Sequence, residues 1–361
     1  MRDLSRQVAA AFLEQRARAG YPFCKRPNAS LQSAQVQPTP QAVVPPSMPQ
    51  PFVLEIGVEE LPAQDVTAAV NQLKETIPGW LAALRLEHGT LRVMGTPRRL
   101  VLTVDEVSAY QRDQETVVKG PPAMVAFDAA GQPTQAARGF ARSQGVAVAE
   151  LQVRDADGGR YVFAVRHIPG RPALEVLAEA LPGLIAGISF GKTMRWLPSP
   201  QAGGSSPSVS FSRPIRWLVC LLGDRVVPFA YAGVVSGRIS RGPRATGATP
   251  LEIPDAGSYL QAMSSCGVLV DIDERRAAIR QQVEHLAAEI GGSVPDDAAL
   301  LEEVTNLVEQ PTALTGSFDV TFLTLPEPVL ITVMKKHQRY FPVLGAQGRL
   351  MPYFIAVRNG G

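Results

Sequence analysis

From Phe52 onward apolar and polar positions begin to alternate. Phe52, Leu54, Ile56 and Val58 interleave with Val53, Glu55, Gly57 and Glu59, the period of a half-buried β-strand. Leu61-Pro62 stops that strand, and Val66, Val70, Leu73 and Ile77 recur at helical spacing. A strand therefore feeds a helix through an acidic corner, Glu59-Glu60. Upstream the pattern is different. No charged residue occurs between positions 29 and 51, and prolines stand at 38, 40, 45, 46, 49 and 51, so 26–51 reads as a solvated, semi-extended linker. Before it, Asp3 can cap a helix striped by Leu4, Val8, Phe12 and Leu13, with Gly20 and Pro22 ending it. Residues 1–25 thus predict an isolated helix.

Beyond the first strand and helix the pattern mixes both element types. Strands are expected over 91–94 and 100–104, around a turn at Gly95-Thr96-Pro97, and over 161–166; a helix is expected over 173–186. Asp155-Ala156-Asp157-Gly158 predicts the turn of a hairpin leading to Tyr161. Ile215, Trp217, Val219 and Leu221 alternate and turn at Gly223-Asp224 into a partner strand over 226–231. Residues 198–207, PSPQAGGSSP, read as a flexible insertion. The strongest helix signal covers 272–290, with Asp271 and Glu274 as a capping pair, Gly291-Gly292 as its end, and Arg276 interrupting an apolar stripe of Ile272, Ile279, Val283, Leu286 and Ile290. A helix over 298–308 and strands over 340–344 and 350–357 complete an α+β fold: mixed, mainly antiparallel sheets with packed helices. The pattern divides into 1–25, 26–51, 52–247 and 248–361, the last expected to be cut before its natural end.

Composition narrows the function classes. The chain has 361 residues and a formal net charge of +2, so any nucleic-acid role must rest on local basic patches. Cys24, Cys220 and Cys266 share no metal-ligand spacing and fit a reducing compartment, Cys220 as a core residue. No apolar run is long enough for a membrane span, so no membrane partner is expected. The first 26 residues hold six Arg and Lys but do not read as a cleavable presequence.

Catalytic signatures are sparse. Gly191-Lys192-Thr193 lacks the earlier glycine of a phosphate loop. His88, His167, His285 and His337 are scattered, so no metal site is expected. Glu59 and Glu60, adjacent in the chain, point to opposite faces; capping the following helix, or an ion pair with an arginine such as Arg98 or Arg99, is the expected role for one of them. A hydrolytic site on Glu59, Glu60 or His337 has no nucleophile–base spacing behind it. No residue is assigned a catalytic role.

Basic clusters carry more. Arg98 and Arg99 precede a strand. Lys192, Arg195, Arg213 and Arg216 bracket the insertion beside Trp196 and Trp217. Arg238, Arg241 and Arg244 fall in a Gly/Ser-rich loop, and Lys335, Lys336 and Arg339 precede Tyr340-Phe341. Loop arginines near aromatics suit phosphate contact and base stacking, and these twelve are the candidate RNA-binding residues.

Several phrases resemble the β subunit of bacterial-type glycyl-tRNA synthetase. They are LEIGVEELPAQ (54–64), GTPRRLVL (95–102), KGPP with FDAAGQPTQAARGFAR (119–142), KTMRW (192–196), FSRPIRWLVCLLGD (211–224), SRGPR (240–244), LLEEVTNLVEQP (300–311) and MKKHQRYFPV (334–343). They stand in family order and resemble the N-terminal half of such a subunit. LSRQVAAAFLEQRARAGYPFC (4–24) resembles the C-terminal end of the α subunit, so the whole resembles a piece of a fused α–β glycine–tRNA ligase. The resemblance implies a segment that docks the catalytic α-like part and contacts tRNA-Gly. ATP and Mg²⁺ would serve the complete enzyme, with none bound by this segment, and the fused chain would be a dimer. It also implies a chloroplast or mitochondrial location, otherwise the cytoplasm. A free-standing tRNA-binding or assembly module without ligase activity is the alternative.

Overall fold

The structure, a computed structural model, describes residues 13–15, 18, 48–128, 130–196 and 208–360. The expected isolated helix over 1–25 falls outside them except at residues 13–15 and 18, which are helical. The linker through residue 47 and the insertion over 198–207 lie outside the described residues.

Gln50–Val58 forms β1, Ala63–Ala83 α1, and Leu91–Thr96 and Arg99–Val107 the hairpin β2–β3. A small module follows: β4 (Gln114–Pro122), α2 (Ala123–Ala126), α3 (Gln135–Gln144), β5 (Gln152–Ala156) and β6 (Gly159–Ile168). The chain returns through α4 (Ala173–Ala186) to β7 (Met194–Trp196), β8 (Val209–Phe211), β9 (Ile215–Leu222), β10 (Arg225–Val226), β11 (Ala230–Tyr231), β12 (Val234–Gly237), β13 (Ile239–Arg241) and β14 (Pro250–Glu252). The last third holds α5 (Tyr259–Ser265), α6 (Ile272–Glu289), α7 (Ala298–Thr305), β15 (Pro311–Ser317), α8 (Glu327–Thr332), β16 (Phe341–Leu344) and β17 (Leu350–Asn359). The fold is α+β, as expected.

The central sheet runs β11-β12-β9-β1-β3-β2, with β10 also on β9. Its pairings are antiparallel except β12 on β9. The expected hairpin partner of β9 is short: Arg225 and Val226 pair with it, and the chain then leaves to form β11 and β12. β1 is not half-buried. Leu54 and Ile56 pack under α1 and α4 with Val66, Val70, Leu73 and Ile77. On the opposite face Val53, Val101, Val219 and Leu221 meet α5 through Tyr259 and Met263. Two covered faces make β1 a buried central strand, and Glu55 goes into the interior with it.

A third core joins α6 and α7 to the sheet β15-β17-β16, through Ile279, Val283, Val304, Phe341 and Ile355. α6 begins as read, with the Asp271 carboxylate accepting from the N–H of Asp273 (2.8 Å) and of Glu274 (3.2 Å). The arginine on its buried face is Arg275, not Arg276; Arg276 stays at the surface with Asp273. The row Ile279, Val283, Ala287 extended back by four reaches Arg275.

Partial burial opposes ionisation of Asp271, yet Arg92 (2.8 Å) and the two backbone donors outweigh it and hold the carboxyl below the usual range. A lowered folded-state value adds stability above the unfolded pKa of about 3.9 and loses it as pH falls. Asp271→Ala is therefore expected to cost about 1 kcal/mol at pH 7. The gap should narrow toward pH 3 in urea melts; a gap independent of pH would contradict this.

Candidate nucleic-acid interface

The twelve basic candidates separate by where the fold puts them. Arg98 and Arg99 are not in an open loop: Arg99 starts β3 on the enclosed face of the sheet, and both are buried. Arg99 Nε donates to Glu309 Oε1 (3.0 Å), Nη1 to Glu55 Oε1 (3.1 Å), and Nη2 to the Arg241 carbonyl (2.9 Å). Arg98 Nη1 donates to the Gly242 carbonyl (3.1 Å) and Glu309 Oε2 (3.4 Å). Burial alone would lower the Arg99 pKa, but Glu309 and Glu55 outweigh it and hold it above the ordinary guanidinium value. These two candidates precede or begin a strand as read, but their side chains are consumed inside the protein.

Trp217 completes that cluster. Its Nε1–H donates to Glu55 Oε1 (3.0 Å), and its ring fills the space above Gly57, where a Cβ would lie 1.9 Å from the indole. Glycine at 57 is thus a requirement of the tryptophan. Ser240 Oγ gives the same Glu55 oxygen a third bond (2.9 Å), and Thr96 Oγ1 donates to Glu309 Oε1 (2.7 Å).

Four candidates do reach the surface together, at the end of the sheet marked by the Glu59-Glu60 corner. Arg216 pairs with Glu59 (3.3 Å) and Arg244 with Glu60 (3.0 Å), all four side chains about half exposed. The corner carboxylates therefore meet these two arginines rather than Arg98 or Arg99. Arg241 is exposed, with its guanidinium 5.8 Å from the Trp217 ring, and Arg213 donates to the Ser212 carbonyl (2.9 Å). Arg238, their neighbour in sequence, is spent differently: it ties the carbonyls of Pro254 and Asp224 (2.9 Å each).

A second group borders the same corner. Val333–Gln338 widens into a π-helical turn that Arg339 ends in the left-handed region, at φ 59°. Lys335 pairs with Asp297 (2.8 Å), lowering the Asp297 pKa, and Arg339 with Glu303 (2.9 Å). Lys336 is exposed. Pro62, Ala63 and Gln64, just past the acidic corner, share a cleft with Glu303 and Arg339, so the two groups flank one stretch of surface. Lys192 and Arg195 are exposed, the latter on β7, without an ion-pair partner among the described residues.

Surface ion pairs such as Arg216–Glu59 contribute about 0–1 kcal/mol, so a phosphate can displace the carboxylate at small cost. Chemically the surface can bind anions; nothing in it pairs a nucleophile with a base. Among the described residues no group of three His, Cys, Asp or Glu is placed to hold a metal ion, and no helix is long and apolar enough to cross a membrane. Sequence reasoning missed Glu55, Glu309 and Arg275 as organising residues. Arg275 donates to the carbonyls of Gly95 (2.7 Å), Thr305 (2.8 Å) and Leu269 (2.5 Å), and burial pushes its pKa down to about 10, leaving it charged at neutral pH.

A family profile described as glycyl-tRNA synthetase beta subunit matches residues 52–361. The chain is 43% identical over 370 residues to the chloroplastic/mitochondrial glycine–tRNA ligase 2 of Arabidopsis thaliana, covering 100% of this chain and 33% of that protein. It is 46% identical over 313 residues to the glycine–tRNA ligase beta subunit of Desulforamulus reducens and 45% identical over 313 to that of Moorella thermoacetica, each match covering 87% of this chain and 44% of the relative. The chain spans less than half the length of these curated relatives.

Removing one partner of a buried ion cluster strands the others without water. Glu309→Ala is expected to destabilise the protein by about 3–5 kcal/mol, whereas Arg244→Ala stays within about 0.5 kcal/mol. Denaturant unfolding of both variants checks this; equal effects would contradict the division between interior and surface arginines.

Proposed function

The chain belongs to the family of the glycyl-tRNA synthetase β subunit, and from that premise we propose that it is the non-catalytic part of a glycine–tRNA ligase that contacts tRNA-Gly and docks the catalytic α-like part. The observation that carries this is the match across residues 52–361. The exposed arginines at the Glu59-Glu60 corner support the tRNA contact, because they are loosely paired cations on a rigid sheet end. In this proposal ATP and Mg²⁺ act in the α-like part, where glycine is activated and transferred to the tRNA terminal adenosine. The chloroplastic/mitochondrial relative, which aligns along the whole of this chain, supports a fused α–β polypeptide, working as a dimer in a chloroplast or mitochondrion.

Arg213, Arg216, Arg241 and Arg244, with Lys335, Lys336 and Arg339 across the corner, would follow the phosphate backbone; Lys192 and Arg195 lie on the β7 edge. Arg238 holds a loop in shape and would act on RNA through that loop. Replacing Arg216, Arg241 and Arg244 together with Ala is expected to weaken tRNA-Gly binding and to reduce the slope of log affinity against log salt by about one per lost phosphate contact. Filter binding over a salt series measures both. An unchanged slope in a folded triple variant would remove this corner from the RNA site.

A further inference from the structure

The small module β4–β6 contains a surface that none of the twelve basic candidates touches. Its three strands lie in the order β4-β6-β5, antiparallel throughout. One face is closed by α2 and α3, over Val162, Ala126 and Ala137, and Ala164 is equally enclosed. The alternate residues on β6, Tyr161, Phe163 and Val165, point the other way and are half-buried. Their cross-strand partners share that face: Val165 faces Val117, Phe163 faces Lys119 and Gln152, and Tyr161 faces Arg154. Val117 is 46% exposed. Among the described residues, α2 and α3 are the only helices that make an extended contact with these three strands.

An antiparallel sheet normally leaves its open face polar. Here it carries two aromatic rings two residues apart on one strand, each with a cation beside it. Lys119 Nζ lies 3.6 Å from the Tyr161 ring centroid and Arg154 Cζ 5.8 Å from that of Phe163. Two residues of strand advance the chain by about 6.6 Å, room for two splayed bases to lie on successive rings. Lys119 also holds Asp157 (2.6 Å), and Arg154 the Gln152 side-chain oxygen (2.6 Å). These exposed contacts can yield to phosphates, and the cations then leave the ring faces to the bases.

From this we infer that the open face of β4-β6-β5 is a stacking platform for single-stranded RNA. Tyr161 and Phe163 would each take a base, and Lys119 and Arg154 the flanking phosphates. A protein or peptide surface would need a continuous apolar patch, but this one is divided by cations on both edge strands. The inference deepens the tRNA reading given above and rests on it for the identity of the RNA. The platform itself follows from the face alone.

The test is fluorescence anisotropy with the 361-residue chain, using a ten-nucleotide single-stranded RNA, its duplex and tRNA-Gly as separate probes. The single strand is expected to bind more tightly than the duplex. Tyr161→Ala and Phe163→Ala should each weaken it about tenfold, and Tyr161→Phe should retain it. Thermal melts report whether the alanine variants stay folded. Should they unfold, 4-thiouridine crosslinking of the unaltered protein gives the answer by peptide mapping. Crosslinks within 117–165 support the platform, and crosslinks only elsewhere overturn it. Folded ring variants with unchanged affinity for all three probes overturn the platform and leave the tRNA reading standing. Ring-dependent oligonucleotide binding by a protein with no affinity for tRNA-Gly overturns that reading and leaves the platform.

Discussion

Arg99 between Glu55 and Glu309 is the contact on which the remaining architecture depends. A guanidinium withdrawn wholly from water is tolerable only when its charge is met and its donors are used. Here both carboxylates come from distant places in the chain, one in the central strand and one after α7. Meeting the charge therefore forces the last third of the protein onto the β2–β3 turn. Arg275 repeats the device with carbonyls, fastening the start of α6 to β2 and the end of α7. The apolar cores hold each layer together; Arg99 and Arg275 fix how α6 and α7 meet the central sheet.

Much of the local structure was legible. The stripe Val66, Val70, Leu73, Ile77 is buried in α1, α4 spans 173–186 as read, and Asp155-Ala156-Asp157-Gly158 turns a hairpin. Such features depend on periodicity and turn chemistry within a few residues. Burial of Glu55 does not. Alternation assigns a residue to a face, but whether a second layer covers that face is decided by α5, some two hundred positions later in the chain. The apolar Val53, Val101 and Val219 on the supposed wet face were the available sign. The buried arginine of α6 stands one position before the expected Arg276 because the four-residue row through Ile279 and Val283, and not Ile272, phases the buried face.

The candidate interface was legible as composition and not as geometry. Runs such as Arg98-Arg99 and Arg238 to Arg244 look alike in sequence, yet Arg98 and Arg99 are interior, Arg238 ties loop carbonyls, and Arg241 and Arg244 face water. The partners that divide them, Glu309, Pro254 and Glu60, stand at long separations, so no local pattern distinguishes a structural arginine from an available one. The family phrases behave in the same way. GTPRRLVL and LLEEVTNLVEQP converge because they contain the two halves of one ion cluster, which is a structural reason for their wording. The surface arginines beside the Glu59-Glu60 corner have no such internal duty.

The most direct test of the proposal is hydrogen exchange on the 361-residue chain with and without tRNA-Gly. Protection by the RNA is expected at residues 212–216, 239–246 and 335–339, with no change at 95–101, where the arginines are already enclosed. Protection absent from all three surface segments while tRNA-Gly is bound would contradict the assignment of this face to RNA.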